Sequence, residues 1–324
     1  MHPAAGGGTI NTNKRPAGQS TRKPARGEEK DPPEKNIRKN RGSNIKGGEK
    51  GTAARRQKEI VMETNVQCVN TLTENASEKI PPCVLKQTLP LYPCFCGADK
   101  CLSLQGAFSL VLAGAAMHCE LIGTGCEDMK AAHRFWLMMR TKIRFFGYPD
   151  MMETVRLTTW PAVPGHYTCD RYYTLEREDG SLMVEARNEW AVLDSDSGRP
   201  IRTEQIYDPA LTFLPGGVLT EPFLRQRDTL TEEDFAARYR VQPSDIDFGN
   251  HMNHTVYPRI IADSFSVGEQ KEMRIEEIEV QYLTPCYEGE ELTVLRRREA
   301  NTLLFSIRNA EGKTAFLATV RVAE

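Results

Sequence analysis

The chain predicts an α+β fold in which one plan is used twice: a long helix wrapped by a curled antiparallel sheet, in tandem. Three observations predict it. Residues 84–193 read as a short strand, one long apolar helix and four consecutive strands. Residues 238–322 repeat that order. Between them, Pro209, Pro215, Gly216, Gly217 and Pro222 break any regular element. The expected boundaries are a disordered basic arm at 1–82, a first repeat at 83–207, a linker at 208–231 and a second repeat at 232–324.

The elements follow in order. Residues 84–95 have β-type content broken by two prolines, which suits an edge strand. The run 102–122 is apolar nearly all round, so it should be a surrounded helix, ended by Gly123 and Gly125. Strands are predicted at 135–146, 154–163, 167–178 and 182–193, with Asp179-Gly180 marking a hairpin. In the second repeat a strand at 238–242 and a helix at 253–267 are expected. Strands should follow at 271–283, 290–298, 303–307 and 315–322.

Composition narrows the class. Residues 1–60 carry 15 Lys/Arg against 6 Asp/Glu, so a basic arm joins an acidic body. With almost no apolar content before residue 80 the arm cannot offset its ordering entropy, and disorder is expected. No aromatics interleave with its charges, which argues against nucleic acid as a partner. Met62 offers an internal start that would omit it. Nine cysteines without paired spacing fit a reducing cytoplasm. Cys94, Cys96 and Cys101, with His118, lack the knuckle of a zinc site, so no metal is expected. The uncharged stretch 101–119 holds Gln105, two Gly and His118, a poor membrane span, and no span is expected.

The chemistry-bearing stretch is Ser244-Asp-Ile-Asp-Phe-Gly-Asn-His-Met-Asn-His254, with Tyr257 behind it. Polar groups crowd there at a strand-to-helix junction, where buried ones need partners; sequences break local rules in this way at functional sites. The Asp247-Phe248-Gly249 triplet has no Gly-rich loop or His-Arg-Asp before it, which excludes a kinase. The plainer reading has Asp247 in an Asx turn and Asn250 or Asn253 capping the helix. Trp136, Trp160 and Trp190 read as core aromatics, His118 and His133 as structural residues. His254 reads as an exposed first-turn residue and Asp245 as a turn former.

Three groups of residues carry a resemblance. They are Phe146-Gly-Tyr-Pro149 with Thr158-Thr-Trp160, Trp190-Ala-Val-Leu-Asp194 with Arg199-Pro200, and Ser244–Asn253 with Tyr257. In this order and spacing, over residues 86–324, the chain resembles the acyl-acyl-carrier-protein (acyl-ACP) thioesterases, which are tandem hotdog proteins. The resemblance implies hydrolysis of fatty acyl-ACP thioesters to free fatty acid and holo-ACP in fatty acid biosynthesis. It implies water as the attacking group and no cofactor. Asp247 matches the family's catalytic Asp and His251 its catalytic His. The family's Asn lies where this chain has Gly249, so Asn250 or Asn253 is the candidate amide. Many relatives have Glu where this chain has Pro285. Cys286 is a weak candidate nucleophile, and Asn253, Tyr257 and Cys286 are the candidate substrate-binding residues. Helix-start N–H groups near Asn253 are candidate donors to the thioester carbonyl. Asp99 lies at the first repeat's equivalent junction without a following His-x-Asn, so the first repeat is expected to supply the acyl slot.

An acidic carrier protein needs a basic patch. Arg140, Lys142 and Arg144 alternate along one strand and share a face, and Arg296-Arg-Arg298 is the other candidate. Two alternatives stand beside this function: an acyl-CoA thioesterase on the same fold, and an acyl-binding hotdog module without turnover. A tandem repeat buries internally what single hotdogs bury by dimerising, so monomer and homodimer both remain open.

Overall fold

The computed structural model describes residues 83–323; the expectations for the arm and for Met62 lie outside the described residues. The first repeat runs β1 (Leu85–Pro90), α1 (Leu104–Leu121), α2 (Cys126–Ala131), β2 (Arg134–Phe145), β3 (Thr154–Pro161), β4 (Thr168–Arg177) and β5 (Leu182–Asp194). The second runs β6 (Phe235–Arg240), α3 (Val256–Asp263), α4 (Val267–Glu272), β7 (Ile275–Tyr282), β8 (Glu291–Glu299), β9 (Thr302–Arg308) and β10 (Thr314–Val322). All ten strands form one sheet in the order β1-β3-β4-β5-β2-β7-β10-β9-β8-β6. Read outward from the centre, β2-β5-β4-β3-β1 on one side matches β7-β10-β9-β8-β6 on the other.

The two halves meet at β2 and β7, which pair antiparallel from Arg140 opposite Gln281 to Arg144 opposite Glu277. Inward-facing side chains of both halves pack on α1 and α3, with Phe108, Ile143, Leu157, Tyr257, Ile278 and Phe305 in one core. That core is what the alternating strand pattern specifies. Helix α1 starts on Ser103, whose hydroxyl accepts from the Gly106 N–H at 3.0 Å. By length and composition α1 is long and apolar enough to cross a membrane; here its inner side is core and Met117 and Leu121 are exposed. The Asp179-Gly180 hairpin forms with Gly180 at φ +87°, a conformation glycine takes without steric cost.

Three boundaries differ from the sequence reading. The helix expected at 253–267 begins only at Val256 and ends at Asp263, because Asn253 folds into a turn on Thr255. A separate helix, α4, then starts on a Ser266/Glu269 capping box and takes residues assigned to the next strand. The six-residue α2 was too short to show a period.

Residues 206–231 contain no helix or strand, yet they form an anchored strap across the outer face of the sheet. Phe223 is buried beneath the cations of Arg140, Lys142 and Arg187, at 4.7, 5.7 and 4.6 Å from its ring. Gly217 lies against Tyr172 so closely that a Cβ would fall 2.3 Å from its ring. Farther on, Asp228 accepts from Ser306 (2.8 Å), Thr314 (2.7 Å) and Arg308 (3.0 Å). The strap therefore grips strands of both repeats.

Candidate active site

Residues 246–252 form a tight loop between β6 and α3. A single bridge joins Ile246 to Met252. Inside it, the Asp247 N–H donates to the His251 carbonyl at 3.1 Å and the Asn250 N–H to the Asp247 carbonyl at 3.0 Å. Asn250 sits at φ +59°, the left-handed corner that Asn tolerates better than most residues. This turn folds residue 251 back over residue 247. His251 Nδ1 lies 3.8 Å from Asp247 Oδ1, with side-chain exposures of 45% and 15%. The carboxylate is steadied by the Gly249 N–H, which donates to Asp247 Oδ1 at 2.8 Å.

Gly249 leaves the space between the pair open. A Cβ there would lie 3.0 Å from both Asp247 Oδ1 and His251 Nε2, so a side chain at 249 would touch both groups. Asn250 is exposed and no hydrogen bond joins its amide to either group. Its place is explained by the backbone corner.

Beneath the turn the roles expected for several residues change. Asn253 spends its carbonyl oxygen on Thr255, accepting from its N–H at 2.9 Å and its hydroxyl at 2.8 Å. The Val256 N–H donates to the Asn253 carbonyl at 3.0 Å. The helix start is thus capped by the chain itself, and these two N–H groups are taken. Tyr257 is buried, stacked on Phe316 at 4.8 Å, and its hydroxyl donates to Cys286 Sγ at 3.5 Å. Burial drives the Tyr257 hydroxyl far above its usual range and pushes the Cys286 thiol up to about 11. A neutral, inaccessible thiol is no nucleophile. Tyr257 and Cys286 are core residues under the turn. Pro285 is exposed, and among the described residues Asp247 is the one carboxylate within ion-pair distance of His251.

Asp245 is more than a turn former. Fully buried, it accepts from the Tyr239 hydroxyl (2.5 Å), the Gln242 N–H (2.8 Å) and Arg259 (2.6 Å). It fixes where β6 ends and where the 246–252 turn begins. His254 is not exposed either. Its ring stands edge-on to Trp190 (6.2 Å) and Tyr282 (6.0 Å), and its Nε2 is buried without a hydrogen-bond partner. Burial, reinforced by His251, holds its pKa down at about 4. No local signal announces this, because Trp190 reaches it from the other repeat.

The first repeat carries the same loop with other side chains. Cys96 bridges Leu102, the Gly97 N–H donates to the Cys101 carbonyl at 2.9 Å, and Lys100 sits at φ +65°. Gly97 thus stands where the second loop has Asp247, and Cys101 where it has His251. Burial and a bond to Asp150 push the Cys101 thiol up to about 11. Backbone geometry is duplicated; the Asp–His pair is not.

The basic strand needs a correction. Arg140, Lys142 and Arg144 do share one face of β2, but the strap and carboxylates of β5 and β7 pack against it. Arg140 forms a two-pronged pair with Glu189 at 2.5 and 2.8 Å. Lys142 is buried on Glu279 at 2.9 Å, and Arg144 pairs with Glu221 and Glu277 at 2.5 and 2.6 Å. These charges hold the seam and the strap: each is paired with a carboxylate, and Lys142 is buried.

Comparison with known proteins agrees with the geometry. The family model for the acyl-ACP thioesterase N-terminal domain matches residues 87–209, and that for the C-terminal domain matches 228–322. Among curated relatives, a chloroplastic acyl-[acyl-carrier-protein] hydrolase of Cuphea viscosissima is 19% identical over 172 residues, covering 50% of this chain and 42% of the relative. The chloroplastic palmitoyl-acyl carrier protein thioesterase of Arabidopsis thaliana is 20% identical over 226 residues, covering 63% and 52%. The chain thus spans about half the length of these relatives. Two crystal structures share the tandem hotdog fold. An acyl-ACP thioesterase from Bacteroides thetaiotaomicron has a TM-score of 0.67 and 20% identity, over 74% of this chain and 98% of that one. The 12:0-ACP thioesterase from Umbellularia californica has a TM-score of 0.67 and 14% identity, over 76% and 99%. The two family models together take in well over half of the sequence, and the chain belongs to the acyl-ACP thioesterases, a family of thioester hydrolases.

Proposed function

We propose that this protein hydrolyses fatty acyl-ACP thioesters to free acid and holo-ACP, supplying fatty acid biosynthesis. The observation that carries the reading is the Asp247–His251 pair, folded to 3.8 Å on a turn that leaves His251 half-exposed. His251 Nε2 faces the open space over Gly249 and takes a proton from water there. The water oxygen bonds to the thioester carbon, the C–S bond breaks, and the proton passes to the departing sulfur. Asp247 stabilises the imidazolium formed between these steps, as a fixed carboxylate does for a general base. The acyl chain occupies the interior of the first repeat, which Trp190 joins to the catalytic segment through His254.

Carrier docking falls to Arg296 and Arg298. Arg296 donates to the Ser264 carbonyl at 2.6 Å and Arg298 to that of Ala300 at 3.1 Å, while Arg297 between them is paired with Asp234. The eight cysteines of the described residues are free thiols, which supports a reducing compartment such as the cytoplasm.

A second reading is an acyl-binding module without turnover, favoured by Gly249 and Pro285. Thiol release from a panel of purified acyl-ACP and acyl-CoA thioesters separates the readings. Turnover of acyl-ACP that Asp247→Ala and His251→Ala each lower by about 10²–10⁴-fold is expected. Turnover that survives both substitutions removes the assignment. Preference for the CoA esters selects the CoA reading, and binding without release selects the module.

A further inference from the structure

The inner face of the first repeat is apolar along most of its length and then turns polar. Leu157, Leu175, Ala186 and Ile143 face α1. One step along the same strands stand Thr159 on β3, Arg171 and Tyr173 on β4, Asn188 on β5 and Thr141 on β2. All are buried, Asn188 at 0% and Arg171 at 4% exposure. The sheet register lines three of them up, with Arg171 opposite Asn188 and Asn188 opposite Thr141. The row ends at the catalytic segment. Thr141 hydrogen-bonds Tyr282, whose hydroxyl donates to the His254 carbonyl at 3.3 Å. A void of about 10 Å³, about one water in size, adjoins the row at Tyr173.

The hydrogen bonds in this row do not close. Tyr173 is hydrogen-bonded to Thr159 and accepts from Asn188 Nδ2 at 3.3 Å, which leaves Asn188 Oδ1 buried without a donor. Arg171 has three neighbours to donate to: His118 Nδ1 at 2.9 Å, Cys119 Sγ at 3.4 Å and Thr159 Oγ1 at 3.5 Å. No carboxylate pairs with it among the described residues. Its partners are all uncharged, so the guanidinium sits without a counter-charge on the strand position opposite Asn188. A buried amide oxygen without a donor and a buried guanidinium without a counter-charge are costly in a slot meant for plain alkyl chains.

On the thioesterase reading above, we propose that this row makes the slot specific for acyl chains carrying a hydroxyl group. A hydroxyl donates its hydrogen to Asn188 Oδ1 and accepts from Arg171 with the same oxygen. A ketone satisfies Arg171 but gives Asn188 nothing, and a carboxylate pairs with Arg171 but is repelled by the Asn188 oxygen. A bare chain leaves both groups dry, and sites built to bond a substrate hydroxyl discriminate strongly against the analogue without one.

The test compares kcat/KM of the full chain for eight-carbon acyl-ACP thioesters: the unsubstituted chain and positional isomers with one hydroxyl from C3 to C8. At least one isomer should exceed the plain chain tenfold or more, and Asn188→Leu should cut that ratio to below threefold while plain-chain turnover persists. Hydrolysis of the plain chain equal to or better than every isomer overturns the proposal and leaves the thioesterase reading standing. So does a preference that survives Asn188→Leu. Hydrolysis of no thioester removes the thioesterase reading, and this inference with it. If Asn188→Leu does not fold, the wild-type ratios alone decide.

Discussion

Asp245 and Asp247 stand two residues apart in the same motif, and the structure separates their roles. Asp245→Ala removes three acceptor bonds, one of them charge-assisted, from a fully buried carboxylate. Breaking a buried ion pair costs about 3–5 kcal/mol, because the surviving charge is left uncompensated. Arg259 is 34% exposed and recovers part of that loss in water, which brings the pair's share to about 2 kcal/mol. The Gln242 N–H, left without its acceptor, adds about 1 kcal/mol. The sum is about 3 kcal/mol, or a fall of roughly 6–12 °C in Tm for a fold of this size. Thermal melts and urea titrations should show this loss, with kcat for the molecules that remain folded within a fewfold of wild type. Asp247→Ala should do the reverse, abolishing turnover with Tm nearly unchanged. A Tm within about 2 °C of wild type for Asp245→Ala, or loss of kcat in fully folded protein, would refute the division of labour.

Three further outcomes follow from the geometry. Gly249→Ala places a methyl 3.0 Å from both Asp247 Oδ1 and His251 Nε2. Steady-state kinetics should show kcat/KM lowered about tenfold, with an unchanged melting curve, since a small misplacement of reacting groups is amplified in rate. Lys142→Met strands Glu279 in the seam and should destabilise by about 3–5 kcal/mol, whereas the double Lys142→Met/Glu279→Met should recover at least half in equilibrium unfolding. His254 is held at about 4 against an ordinary 6.5. Between these values the unfolded chain takes up a proton that the folded chain refuses. Its contribution is whole above pH 6.5 and is lost as pH falls toward 4, by up to about 3 kcal/mol. His254→Phe should flatten that part of the stability–pH curve.

Strand identity was legible because alternation and turn residues are local: β3, β4 and β5 fall within two residues of their expected ends, and Asp179-Gly180 makes its hairpin. The closeness of Asp247 and His251 was legible for the same reason, since they are four apart in the chain. What stayed hidden depends on partners far along the chain. The alternation of Arg140, Lys142 and Arg144 was read correctly as one face. Nothing near them announces Glu189, Glu279 or Phe223, which bury that face. His254 looked exposed because Trp190 lies in the other repeat. The first repeat's equivalent junction was legible at Asp99, but not that its loop copies the second, because it keeps the backbone, with Lys100 at φ +65° against Asn250 at +59°, while sharing no side chain.

The strap across the outer face bears on the order in which the molecule assembles. Its anchor for Phe223 is made by residues 140, 142 and 187, all synthesised before it, whereas the anchors for Asp228 are residues 306, 308 and 314, near the end of the chain. The Phe223 end can seat once the first half has formed, whereas the Asp228 end must wait for strands of the second half, and contacts so distant in sequence form slowly. The Asp228 end of what looks like a passive connection is therefore the last to fasten. Its amide protection would report completion of the whole sheet, not of either repeat alone.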